Sequence, residues 1–288
     1  MRIGVTGSDG FIGGHLVASL RENHDVVMFK RDSSGIFSGL EPSVLSSCEA
    51  IICLAGVNRG TDEQILHGNV IPLFSLLRRL AIEDLHTVLV FASTLQVYGF
   101  SAASVARSES DLAFPCNTYG LSKLLAEHLL SLSSRKEAIK AVILRIANVY
   151  GPGGKSDYNS VVATFEHRIR DGMSLCINGS GIQERDFVFV DDVVESFSAA
   201  IEYSRNMPQS LALFNICSGV PVSLNTLASL VAKVHGGRVR IEHVPTDRPP
   251  DFLIGNPERA AREMGFRAKI DLEPGLKKTM GFPKGGVL

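Results

Sequence analysis

The chain has 288 residues, 45% hydrophobic and 20% charged, with 29 basic against 30 acidic residues for a formal net charge of −1. That composition excludes a disordered or fibrous chain. The balanced charge excludes an overall field able to hold nucleic acid or an anionic membrane, so any phosphate must be bound by local groups. A chain this long forms one large domain or two lobes around a cleft. The five cysteines, Cys48, Cys53, Cys116, Cys176 and Cys217, are odd in number and widely spaced, as expected of reduced residues in a cytoplasmic protein. No run reaches the roughly 20 apolar residues of a bilayer span. The opening MRIGVTGSDGFIGG reads as strand and turn rather than as an export signal.

Arg2–Thr6 predicts a first strand, followed by a glycine-rich turn and then Phe11, Ile12, His15, Leu16, Val17 and Leu20 at helical spacing. Further strands are predicted at Asp25–Phe29, Ala50–Leu54, Val88–Ala92 and Lys140–Ile146, most of them apolar throughout, the signature of a parallel sheet buried on both faces. Helical patterns at Asp62–Leu80 and Tyr119–Leu132 fall between them. This alternation predicts an α/β protein with a doubly wound parallel Rossmann sheet. After Val149–Gly154 the Gly and Pro residues break the rhythm, and a smaller C-terminal substrate-binding lobe is expected there. The division is 1–150 for dinucleotide binding, with 186–218 rejoining it through strands at Asp186–Val190 and Ala212–Ile216, and 151–185 plus 219–288 for the lobe. The tail Lys284–Leu288 is expected to fray.

Gly7, Gly10 and Gly13 have the spacing GxxGxxG directly after a strand and at the opening of a helix. Glycine permits a tight turn and close backbone approach to a pyrophosphate, and the helix N-terminus offers free N–H donors. The pattern alone is weak; its place at the first strand-to-helix turn makes it a dinucleotide site. The end of the second strand separates the two nicotinamide cofactors, a carboxylate there binding a ribose hydroxyl and a base accommodating a 2′-phosphate. Here the chain reads Phe29-Lys30-Arg31-Asp32. Lys30 and Arg31 favour NADP(H). The alternative is a solvated pair of charges, with Asp32 holding the ribose of NAD(H) if the strand runs further.

Tyr119 and Lys123 stand at i and i+4, on one face of a helix. A neighbouring ammonium favours the phenolate, so Tyr119 is expected to exchange a proton with a substrate oxygen near neutral pH. The strand end Ser93-Thr94 offers hydroxyls at the edge of the sheet where ligands of such folds bind. The bland alternative is a surface tyrosine beside a solvated lysine.

The successive segments TGSDGFIG, FASTLQVYG, NTYGLSK, LRIANVYGPGG and RDFVFVDDV resemble the motifs of the extended short-chain dehydrogenase/reductases, the NAD-dependent epimerase/dehydratase group acting on nucleotide sugars. The resemblance covers most of the chain. It implies that Thr94, Tyr119 and Lys123 are catalytic, that Phe11, Ile12, Leu54, Ala55, Gly56, Asn69 and Ser93 join Gly7, Gly10, Gly13, Lys30 and Arg31 around the cofactor, and that Asn148, Arg185 and Arg248 hold the sugar nucleotide. For the two arginines the bland reading is a surface position.

Two departures stand out. The family's adenine-contacting acid has no obvious equivalent in Ser33–Ser47, and its His-x-Ala-Ala is Cys53-Leu54-Ala55-Gly56. The sugar-nucleotide dehydratases of the family carry Asp-Glu after the catalytic threonine, where this chain has Leu95-Gln96, which argues against dehydration. Leu54–Arg59 and Tyr158–Phe165 are similar to segments of UDP-4-keto-6-deoxy-N-acetyl-sugar 4-reductases of polysaccharide pathways. With Lys30 and Arg31 favouring NADPH, the resemblance therefore implies a homodimeric 4-ketoreductase, which the cysteines lead one to expect in the cytoplasm. The alternatives are a nucleotide-sugar 4-epimerase with bound NAD and, more distantly, a non-catalytic NADP-binding sensor. No metal, nucleic acid or membrane is expected.

Overall fold

A strand covered by helices on both faces has no polar side to show, which is why the central strands are short apolar runs. The computed structural model describes residues 1–32, 35–85, 87–136, 139–154, 160–236 and 238–281. In chain order the first half contains β1 (Arg2–Thr6), α1 (Phe11–Leu20), β2 (Asp25–Phe29), α2 (Pro42–Ser47), β3 (Ala50–Cys53), α3 (Asp62–Ile82), β4 (Val88–Thr94), β5 (Ala106–Arg107), α4 (Thr118–Lys136), β6 (Lys140–Ile146) and β7 (Asn148–Tyr150). The second contains α5 (Val161–Arg170), β8 (Leu175–Asn178), β9 (Glu184–Arg185), β10 (Phe187–Phe189), α6 (Val190–Asn206), β11 (Leu211–Ile216), β12 (Val222–Ser223), α7 (Leu224–His235), β13 (Ile241–Val244), β14 (Phe252–Gly255) and α8 (Leu272–Met280). Tyr158 and Asn159 of the reductase-like segment, and the tail Lys284–Leu288, lie outside the described residues.

The main sheet has six strands in the order β11-β6-β4-β3-β1-β2, all parallel. Chain direction across the sheet reverses at β1 and β3, so their C-terminal ends open a crevice where ligands of open α/β sheets bind. On one face α1 and α6 contribute Leu16, Val17, Val193 and Phe197 to a core with Ile3, Val5, Val90 and Leu144. On the other, Leu73, Leu76 and Leu80 of α3 and Ala126 and Leu130 of α4 close over Ile51, Leu89, Phe91 and Ile143. The sheet is doubly wound.

α3 is long and apolar enough on average to pass as a bilayer span, though His67, Asn69, Arg78 and Arg79 interrupt its apolar residues. Its leucines instead pack on α4 and the sheet, and a capping box of Thr61 and Gln64 fixes its start.

The segment Asp186–Val190 does not join the main sheet. Phe187–Phe189 pairs in parallel with β7 in a separate two-stranded sheet, and Val190 already begins α6. The buried Asp186 turns the chain: its carboxylate accepts from Ser218 N, Ser218 Oγ and Gly219 N at 2.8–2.9 Å. β11 returns to the main sheet beside β6. The remaining C-terminal elements gather round a third apolar cluster that includes Tyr150, Phe165, Leu175, Phe189 and Leu227.

Candidate active site

The turn after β1 is made by backbone proximity that only glycine allows. Gly7 has φ +75°, and a Cβ there would lie 2.6 Å from Ala55 N, in the turn after β3. A Cβ on Gly13 would lie 2.1 Å from the Gly7 carbonyl oxygen. α1 can start this close to β1 only without side chains at those positions. Gly10 gives α1 no side-chain cap and its first turn holds no acid, so its first N–H groups and dipole remain available to an anion. The cradle fits a dinucleotide pyrophosphate.

These turns line a cleft of about 920 Å³, within the range of cofactor and small-molecule sites. It brings together Gly7, Gly10, Phe11, Ile12, Gly13, Lys30, Arg31, Leu54, Ala55, Gly56, Ser93, Thr94, Tyr119, Lys123 and Asn148. Asn69, Arg185 and Arg248 are not on its wall.

At the end of β2 the two bases behave differently. Lys30 Nζ lies 3.3 Å from the Asp9 carboxylate, both exposed. Arg31 turns inward, its Nη2 donating to the Gly68 carbonyl at 2.7 Å while the guanidinium lies 5.8 Å from the Phe37 ring centroid. Arg31 Nε is buried without a hydrogen-bond partner among the described residues.

At the end of β4, Thr94 Oγ1 accepts from Gln96 N at 3.3 Å, leaving its O–H to donate into the cleft. Ser93 is different. Its hydroxyl donates to Glu127 Oε1 at 2.5 Å, and Glu127 in turn accepts from Arg145 Nε and Nη2 at 3.1 and 2.7 Å. Ser93 therefore ties β4 to α4 and β6, and its O–H is no longer free to donate.

Tyr119 and Lys123 share a face of α4, but the ammonium does not bring the phenol toward neutrality. Lys123 Nζ donates to the Ala92 carbonyl at 2.9 Å and stands 6.0 Å from the Tyr119 ring centroid. Burial pushes the Tyr119 phenol up to about 12. Burial, with the Arg31 charge adding to it, lowers Lys123 to about 8. Burial thus opposes the phenolate that a neighbouring ammonium would favour.

Asn69 supports the wall from behind. Its carboxamide accepts from Val57 N at 2.6 Å and donates to Val57 O and Ser122 Oγ, each at 2.8 Å, fixing the turn after β3 to α3 and α4. Asn148 lines the cleft with Nδ2 donating to the Asp186 carbonyl at 3.0 Å, which leaves its oxygen for a ligand. Arg185 is held away by the Asp251 carboxylate and by the Asp251 and Glu184 carbonyls, stacked 4.6 Å from the Phe100 centroid. Arg248 is exposed in the loop after β13. The Glu127–Arg145 pair escaped the sequence reading, although an arginine inside the apolar run KAVILRI and a glutamate one turn beyond Lys123 were its signal.

Residues 3–217 match the NAD dependent epimerase/dehydratase family. The chain belongs to that family. The putative UDP-glucose 4-epimerase of Methanocaldococcus jannaschii is 27% identical to this family member over 97% of each chain. A UDP-2-acetamido-2,6-beta-L-arabino-hexul-4-ose reductase of Pseudomonas aeruginosa is 34% identical over 70% of this chain and 50% of its own length, so the chain spans about half of that relative. The crystal structure of UDP-glucose 4-epimerase from Thermotoga maritima with UDP-glucose aligns with a TM-score of 0.82 at 26% identity over 98% of both chains. Reductases and 4-epimerases thus both stand among the relatives of this nicotinamide-dependent enzyme.

Proposed function

We propose that this family member uses NADPH to reduce the C4 ketone of a nucleotide-linked 4-keto-6-deoxy sugar, N-acetylated on its ring. The observation that carries this reading is the Lys30–Arg31 pair on the cleft wall at the end of β2, where a carboxylate would select NAD. Reductases consume NADPH as a substrate, whereas epimerases retain NAD and return the hydride. The similarity to a hexulose 4-reductase supports the same direction.

The glycine cradle, α1 N-terminus, Leu54–Gly56 turn, Lys30 and Arg31 would hold the cofactor, which when bound supplies the hydride. The rest falls to side chains of this chain. Tyr119, protonated at neutral pH, gives its proton to the oxygen developing at C4. The Thr94 hydroxyl donates to that oxygen and orients it. Lys123, mostly an ammonium at pH 7, lies one helical turn from Tyr119 and stabilises the phenolate left behind. Asn148 offers its carboxamide oxygen to the sugar nucleotide. Arg185 and Arg248 serve the diphosphate on this reading, and Arg185 then exchanges its Asp251 partner for phosphate oxygens. Leu95 and Gln96 replace the acids that dehydration needs, and Leu95 is buried. We include in the proposal a cytoplasmic homodimer joined through exposed Phe74 of α3 and Leu121, Leu125 and Leu132 of α4.

Following NADPH absorbance with a panel of UDP-, GDP- and dTDP-linked 4-keto-6-deoxy sugars tests the reading. Turnover on at least one, most strongly on an N-acetylated sugar, is expected. The second reading, a 4-epimerase, is favoured by the full-length similarity to epimerases. It predicts protein that purifies with bound cofactor and interconverts epimers without net NADPH loss.

A further inference from the structure

The cleft wall continues past Thr94 through Gln96 to Asn117, two carboxamides that the proposed chemistry does not use. Their orientation is set by a single backbone group. Gly120 N donates to one end of the Asn117 carboxamide at 2.8 Å. A backbone N–H only donates, so that end is Oδ1 and the other is the NH2 group. Asn117 Nδ2 then donates to Gln96 at 3.0 Å, which makes the contacted Gln96 atom Oε1. Reversing either amide would set donor against donor.

The backbone holds this relay in place. A Cβ on Gly120 would lie 2.7 Å from the Gln96 carbonyl oxygen and 3.0 Å from Pro115 Cβ, so α4 starts hard against the 3-10 turn Leu95–Tyr98. Gln96 N is tied to Thr94 Oγ1 at 3.3 Å and its carbonyl accepts from Gly99 N at 3.1 Å. The oxygen of the Gln96 side chain is therefore used. Its NH2 group makes no hydrogen bond among the described residues.

We infer that Gln96 is a specificity-determining residue whose Nε2 donates a hydrogen bond to an acceptor oxygen on the sugar, its polarity imposed by Gly120 N through Asn117. This rests on the nucleotide-sugar reading above but not on whether the sugar is reduced or epimerised. A carboxamide exchanges no proton at neutral pH, so Gln96 binds and orients while Tyr119 alone handles the proton.

Calorimetric titration of the full chain with UDP-N-acetylglucosamine and with UDP tests it. Glutamine-to-alanine substitution, Gln96→Ala, should raise Kd for the sugar nucleotide about five- to tenfold and leave UDP within about twofold. Gln96→Glu, which presents an acceptor to an acceptor, should raise it further. Asn117→Asp is the sharper variant. Its carboxylate still accepts from Gly120 N but cannot donate to Gln96, so Gln96 reverses to donate to it and turns Oε1 toward the sugar. The same selective loss should follow with Gln96 intact.

Equal binding of UDP-N-acetylglucosamine by wild type and Gln96→Ala, or an Asn117→Asp protein indistinguishable from wild type, overturns the inference. A parallel loss for UDP also overturns it, since that marks a general disturbance of the cleft. Wild-type protein that binds neither ligand, nor GDP- and dTDP-linked sugars titrated in the same way, overturns the nucleotide-sugar reading on which it rests.

Discussion

Lys30 Nζ stands 3.3 Å from the Asp9 carboxylate, so the base closing β2 and an acid of the glycine turn form an ion pair on the rim of the cleft. Both side chains are more than half exposed, at 61% and 75%, and such a pair contributes little to stability. Its consequence is for ligand choice, because a 2′-phosphate would compete with Asp9 for Lys30. Lys30→Ala should weaken NADPH roughly five- to tenfold while changing NADH little. Asp9→Asn should strengthen NADPH about two- to threefold. Fluorescence titrations with both cofactors at low and high salt check this, and equal effects on NADPH and NADH would count against a phosphate role.

Tyr119→Phe removes the proton donor without changing the shape of the wall. Turnover should fall by about 10² to 10⁴, with the Kd for NADPH within about twofold of wild type. A variant that keeps a tenth of the wild-type kcat would show that the proton comes from elsewhere.

Lys123 links the site to stability. Its pKa is lowered from 10.5 to about 8, so between those values the unfolded chain binds more protons than the folded one, and stability rises with pH across that window. Below about pH 8 the full cost of burying the ammonium is present. In the cofactor-free protein Lys123→Met should therefore be more stable than wild type at pH 7, and the difference should shrink as pH rises from 8 toward 10.5. Paired thermal melts at pH 7 and pH 9.5 measure it. A constant difference between the two proteins would place the lysine in water rather than in the cleft wall.

Beneath the site, Glu127 and Arg145 are buried at 5% and 7% side-chain exposure and joined at 2.7 Å. Arg145 Nη1 already lacks a hydrogen-bond partner among the described residues, so Glu127→Ala strands a guanidinium in the core between β4, α4 and β6. The expected loss is about 3–5 kcal/mol, read from the urea midpoint. Replacing both partners with apolar residues should recover part of it, which separates a stranded charge from a lost contact.

The central strands were legible because burial on both faces leaves an apolar run that no other element explains, and α3 and α4 because their leucines repeat at helical spacing. The wall formed by Gly7, Gly13, Thr94, Tyr119 and Lys123 was legible for a related reason: Gly7 and Thr94 stand at strand ends, Gly13 and Tyr119 in the first turns of helices, and Lys123 one turn beyond Tyr119. What stayed hidden depends on distant partners. Asp251 holds Arg185 across 66 positions of sequence, and Asp186 anchors the Ser218–Gly219 turn over 32 and 33, pairings that no local pattern announces. The surroundings of Tyr119 also depend on geometry, since spacing places Lys123 one turn away but does not reveal that its ammonium donates to the Ala92 carbonyl. Phe187–Phe189 looked like a main-sheet strand because its apolar content is the same, but it pairs with β7 beside the buried turn at Asp186.

Hydride direction is tested most directly by mixing the purified enzyme with NADPH and a UDP-linked 4-keto-6-deoxy-N-acetyl sugar, then quantifying oxidised cofactor and sugar product together. A reductase consumes one NADPH for each 4-hydroxy sugar formed. Epimer interconversion with NADPH untouched, or cofactor already bound as NAD in the purified protein, contradicts the proposal.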